Sequence, residues 1–96
     1  MKGDKLKELI NRNYESIVAR GLIQPHTANG EFLRKIREEY EELWQAVIHG
    51  LPGDAKEEAS DIILVCVNML HHMGADVEKE LIKNIEKNER RAHGKE

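Results

Sequence analysis

One cysteine, two prolines and four aromatic side chains are all that this 96-residue chain holds of those kinds, and each scarcity excludes something. Cys66 alone can form no internal disulfide, and a reducing compartment is expected. No apolar run approaches the roughly 18 residues of a membrane span. Met1-Lys2-Gly3-Asp4 does not open as a signal peptide, so a cytoplasmic protein without a membrane partner is expected. Fifteen basic against 18 acidic residues leave a formal charge of −3. That balance argues against a protein built to wrap the phosphate backbone of nucleic acid. No GxxxxGK[ST] stretch is present, which excludes a P-loop mechanism. With only Tyr14, Phe32, Tyr40 and Trp44 to enlarge its core, the chain is also short. A domain of this size buries roughly two-thirds of its unfolded surface at best, so an oligomer is expected.

What is present is amphipathic helix. The turn signals predict one all-α domain over 1–96 with four helices. Asp4 caps the first, running to about Arg20 with Leu6, Leu9, Ile10, Tyr14, Ile17 and Val18 on one stripe. Gly21 to Gly30 reads as a loop. The second helix runs from about Glu31 to His49 with Phe32, Leu33, Ile36, Tyr40, Leu43, Trp44 and Val47 inward. Gly50-Leu51-Pro52-Gly53 stops it. Asp54 and Glu57 read as a capping box for the third helix, which ends near Met73 with Gly74 at C′. Asp76 caps the fourth, running to about Arg91 with Val77, Leu81, Ile82 and Ile85 inward, and 92–96 read as frayed. Ile62 to Val67 is β-branched enough to suggest a strand, but it has no partner and its apolar pattern continues to Met73. As a helix this segment is apolar all round and needs covering all round. Three other short helices can hardly do that, whereas a second copy can.

The carboxylates carry the chemistry. Glu38-Glu39-Tyr40-Glu41-Glu42 sets four like charges within five residues, each i,i+3 or i,i+4 pair costing a few tenths of a kcal/mol. At 100° per residue, Glu38 faces solvent, while Glu39 and Glu42 flank the apolar stripe. On the third helix Glu58 falls on the stripe of Ile62, Val65 and Met69, with Asp61 beside it. If the two helices pack antiparallel, a modest stagger brings Glu39, Glu42, Glu58 and Asp61 together. Four clustered carboxylates need protonation or a cation, and hard oxygen ligands suit Mg²⁺, or Mn²⁺. The plain alternative is an acidic solvated face, since glutamate is a good helix former.

The stretches Lys35-Ile36-Arg37-Glu38-Glu39-Tyr40-Glu41-Glu42-Leu43 and Glu57-Glu58-Ala59-Ser60-Asp61-Ile62-Ile63 resemble the MazG-type all-α nucleoside triphosphate pyrophosphohydrolases. Arg20-Gly21-Leu22 and Lys87-Asn88-Glu89-Arg90-Arg91 resemble that family's flanking segments. The resemblance implies a four-helix MazG-like fold, assembled as a homodimer or homotetramer, that splits a nucleoside triphosphate into the monophosphate and pyrophosphate. It places Mg²⁺ on Glu39, Glu42, Glu58 and Asp61, with Glu39 or Glu42 orienting or deprotonating the attacking water. It gives the phosphates to Lys35, Lys87, Asn88 and Arg91. Phosphoribosyl-ATP pyrophosphohydrolase of histidine biosynthesis shares the fold and the acid motifs. That family typically follows its motif aspartate with a tyrosine–histidine pair, where this chain has Leu64-Val65.

Other features have blander readings. His72 shares a stripe with Asp61 but lies roughly 16 Å along the helix, so it reads as a helix-end residue and not as a ligand. Cys66, Tyr40 and Trp44 read as core. The basic end at 87–95 fits a dipole-favoured helix terminus as well as a phosphate contact. A non-catalytic acidic helical interaction module is the alternative from another class, and it predicts indifference to divalent metal.

Overall fold

The computed structural model describes residues 2–94. Four helices follow one another: α1 (Lys2–Ala19), α2 (Asn29–Ile48), α3 (Pro52–His72) and α4 (Val77–Ala92). No strand occurs among the described residues, and Ile62 to Val67 lies within α3. Among the described residues no helix is long and apolar enough to cross a membrane.

Three helix starts differ from expectation. α1 begins at Lys2, so Asp4 sits in its first turn and is not its cap. α2 begins two residues early, at Asn29, behind a turn in which Thr27 Oγ1 accepts from Gln24 N at 2.7 Å. α3 begins at Pro52, which leaves Asp54 and Glu57 inside the helix with no capping box. Proline is favoured at this first position because its fixed φ suits the helix and its missing N–H would have no partner there. Asp76 does cap α4, accepting from Lys79 N at 3.1 Å. Residues 95–96 of the expected frayed end lie outside the described residues.

The dominant packing is α2 against α3, joined by the three residues 49–51 and therefore antiparallel. Gly50, at φ +66°, makes the reversal in the left-handed region that favours glycine. α1 crosses the C-terminal half of α3. There Asn13 Nδ2 donates to Asn68 Oδ1 at 2.9 Å, and Tyr14 stacks edge-on against His71 with ring centroids 4.6 Å apart. α4 docks on α1 and α3 but does not touch α2.

His72 ties three segments together. Its Nε2 lies 2.7 Å from the Thr27 carbonyl and its Nδ1 2.7 Å from the Tyr14 hydroxyl. A carbonyl can only accept, so Nε2–H donates to it, and in that tautomer Nδ1 accepts from Tyr14. The ring also packs on Phe32, centroids 5.0 Å apart. This histidine is a structural hub at the helix end.

A single chain covers little of its apolar surface. The buried core is Ile10, Ile23, Phe32, Ala46 and Val77. Leu33, Tyr40, Trp44 and Val47 of α2, and Leu81, Ile82 and Ile85 of α4, were expected inward but are exposed. The reason is that α2 is covered on one side only, by α3, and that only the start of α4 docks. On α3, Ile63 is 62% exposed, and Leu64 and Cys66 are exposed as well. The radius of gyration is 15.5 Å, against roughly 12–13 Å for a compact domain of this length.

Replacing His72 by leucine strands the Thr27 carbonyl and the Tyr14 hydroxyl, and is expected to cost about 1–3 kcal/mol in a urea melt at fixed protein concentration. Unchanged stability would show that the hub carries no weight.

Candidate active site

The antiparallel α2/α3 pair sets its acids opposite one another. Glu39 lies as far before Gly50 as Asp61 lies after it, and Glu42 stands in the same relation to Glu58. α3 starts earlier than expected, so the acids meet with no stagger. One carboxylate oxygen each from Glu39, Glu58 and Asp61 falls within 4.8 Å of the others. Glu39 is buried, 6% exposed, and Glu58 and Asp61 are half-buried. Glu42 is exposed and lies against Glu58 without joining the three-oxygen group.

Lys35, one turn before Glu39, brings its Nζ to 3.0 Å from Glu39 Oε1 and 3.8 Å from Glu38 Oε2. That leaves Glu39 Oε2 and Glu58 Oε2 buried with no hydrogen-bond partner. Buried polar atoms are rarely left so. Ionised oxygens accept only, so two such acceptors call for a shared proton, a bridging water or a cation.

The electrostatics follow. Burial pushes the Glu39 carboxyl up, but the Lys35 ammonium and hydrogen bonding with Glu58 and Glu42 outweigh it and hold the group below its ordinary value. Hydrogen bonding to Glu39 and then to Glu42, with burial and repulsion from both, pushes Glu58 up to about 7. The metal-free cluster therefore holds a proton on Glu58 below about pH 7. A divalent cation fits in its place: hard oxygen donors of three residues converge, and Glu39 and Glu58 each hold one oxygen without a partner.

A cavity of about 280 Å³ adjoins the cluster. Ile17, Leu22, Ile23, Phe32 and Val65 wall it, Asn68 contributes the one buried amide, and the exposed Glu31, Arg34, Lys35 and Glu38 complete its lining. Sequence reasoning gave Asn68 no role, although it is the single polar residue within Ile62–Leu70. The remaining candidates are elsewhere. Lys87, half-buried, and Asn88 and Arg91, exposed, lie on the last turns of α4, the helix that does not meet α2. Within one chain the structure does not bring them to the carboxylates.

A family model for phosphoribosyl-ATP pyrophosphohydrolase matches residues 5–89. The chain belongs to the phosphoribosyl-ATP pyrophosphohydrolase family. Its match runs through all four helices and includes every carboxylate of the cluster. Membership makes the chain a nucleotide pyrophosphohydrolase, a hydrolase acting on acid anhydrides, within the superfamily that the MazG-type resemblance indicates. No curated protein and no solved structure matches it.

The raised Glu58 has a stability consequence with a definite sign. The fold binds this proton more tightly than the unfolded chain, whose carboxyl titrates near 4.5. The associated stability is fully present below about 4.5 and is lost as pH rises through about 7. Glu39, held low, contributes stability that is already fully present above about 4.5 and is lost only as pH falls below it, so it adds no slope within that window. Melting temperature in EDTA is expected to fall across it for the wild type and to stay flat for Glu58→Gln. A wild-type melting temperature that rises there would contradict the shared-proton site.

Proposed function

We propose that this chain is a Mg²⁺-dependent pyrophosphohydrolase, with Mn²⁺ as a substitute, that cleaves a nucleoside triphosphate to the monophosphate and pyrophosphate. The observation that carries it is the convergence of buried Glu39 with half-buried Glu58 and Asp61, with one oxygen each of Glu39 and Glu58 unsatisfied. Those three would hold the cation, with Glu42 at their flank. When bound, the cation supplies Lewis acidity at the phosphoryl oxygens and lowers the pKa of a water in its shell.

The chain's own groups divide the remaining work. Glu42 is open to solvent beside the cluster, so it is the carboxylate placed to orient a water and take its proton as the oxygen attacks the α-phosphorus. The bond between that phosphorus and the bridging oxygen breaks, and pyrophosphate leaves with the bond's electron pair. Glu39 is buried and ion-paired, which suits a fixed ligand better than a base. Lys35 at the mouth of the cluster can trade its contact with Glu39 for a phosphate oxygen, and so counters charge on the departing group.

Lys87, Asn88 and Arg91 can serve the same triphosphate only from a second chain, because α4 does not meet α2. The exposed apolar faces of α2, α3 and α4 favour such a second copy, in a homodimer or homotetramer. A cytoplasmic site of action, with no nucleic-acid partner, completes this reading.

Phosphoribosyl-ATP is the second reading, favoured by the family match. Against it stands Val65, an apolar wall of the cavity where that family typically carries histidine.

Pyrophosphate release from ribo- and deoxynucleoside triphosphates and from phosphoribosyl-ATP, with and without Mg²⁺, separates the two. Mg²⁺-dependent release from triphosphates is expected. Glu42→Gln should lower turnover by about 100-fold or more, and Glu39→Gln or Asp61→Asn should abolish it with helix content unchanged by circular dichroism. Wild-type turnover in these variants would sink the site, and release from phosphoribosyl-ATP alone would select the second reading.

A further inference from the structure

We infer that the cavity between α1, α2 and α3 is the seat of the substrate's nucleobase, and that Asn68 reads the base edge. This rests on the proposed nucleotide pyrophosphohydrolysis and extends it to the end of the substrate remote from the chemistry.

The placement comes first. Asp61, Val65 and Asn68 follow one another at i, i+4 and i+7, a single stripe of α3. The first belongs to the carboxylate cluster and the other two line the cavity. Seven residues of helix separate Asp61 from Asn68 by about 10 Å, a span that a sugar and one phosphate bridge. Lys35 stands between, at the cavity mouth and 3.0 Å from Glu39. Phosphate, sugar and base can therefore lie in that order along one groove.

The chemistry of the walls selects the occupant. At about 280 Å³ the cavity sits at the lower limit of small-molecule pockets, which begin at roughly 300 Å³. That is room for one ring system and no more. Ile17, Ile23, Phe32 and Val65 offer apolar contact to the faces of a flat ring. Glu31, Arg34, Lys35 and Glu38 line the exposed side of the cavity, and a purely apolar guest would leave unused its one buried polar group, Asn68, which is only 4% exposed. Its Oδ1 already accepts from Asn13, so what it offers a guest is its amide N–H donors. A heteroaromatic ring with an acceptor on its edge meets both demands. The fixed donor prefers a ring nitrogen or carbonyl oxygen over an exocyclic amine at that point. A base that turns an N–H to that point leaves the amide unpaired, which is the strong form of discrimination.

The test uses the full chain, ¹⁵N-labelled, titrated in chelator with the common ribo- and deoxynucleosides, with ribose 5-phosphate as control. Nucleosides with an edge acceptor are expected to shift the Asn68 side-chain amide and the backbone amides of Ile23 and Val65, and ribose 5-phosphate is not. In turnover, Asn68→Leu and Val65→Phe are expected to raise KM for the preferred triphosphate at least about tenfold, with kcat within about threefold. Inhibition by inorganic triphosphate, which has no base, should be unchanged. No shift with any nucleoside overturns the inference, including the case in which a side chain of a second copy fills the cavity. A KM indifferent to both substitutions removes the inference and leaves the hydrolase reading standing. Nucleoside binding here by a protein that cleaves neither triphosphates nor phosphoribosyl-ATP removes that reading and keeps the cavity assignment.

Discussion

The register of α2 against α3 is the constraint on which the rest depends. A three-residue connection turning on Gly50 at φ +66° allows one antiparallel alignment, in which positions equidistant from that glycine face each other. Glu39 then meets Asp61, Glu42 meets Glu58, Lys35 comes level with Val65, and Phe32 comes level with Asn68. A slip of one residue on α3 would turn its side chains by about 100°, separating the acids and carrying Asn68 off the cavity wall. The site is thus a consequence of one turn and two helix periods.

That register sets repulsion against burial. Three carboxylates drawn together oppose the folding of the hairpin, and Lys35 offsets only part of this by its contact with Glu39. A proton on Glu58 relieves the remainder in the metal-free chain. The opposing apolar contacts are modest, since among the described residues only five apolar ones are buried. A strained acidic centre held by so slight a core explains why the chain leaves broad apolar faces for further covering: function and stability draw on the same hairpin.

Much of this was legible in the sequence. The helical periods, the glycine stops and the Asp76 cap located four helices, and the i,i+3 acids at apolar edges marked the cluster. Helix starts were misread where a side-chain cap competed with a backbone rule. Pro52 at the first helical position overrode the Asp54–Glu57 pattern, and that shift removed the stagger the acids had been thought to need. The inward stripes of α2 and α4 were misassigned to one chain because periodicity reports that a face is apolar, not what covers it. Asn68 stayed silent for a related reason: a lone amide in an apolar run declares a buried partner, but only the fold shows Asn13 and the cavity beside it.

The central claim is that the α2/α3 register builds a divalent-cation site from Glu39, Glu58 and Asp61. A crystal structure of the protein grown with Mn²⁺, with anomalous data at the manganese edge, tests it most directly. The account predicts an anomalous peak ligated by oxygens of all three residues at roughly 2.1–2.2 Å, typical of hard-cation coordination. A well-ordered site without a peak, or a peak held by other residues, would contradict it.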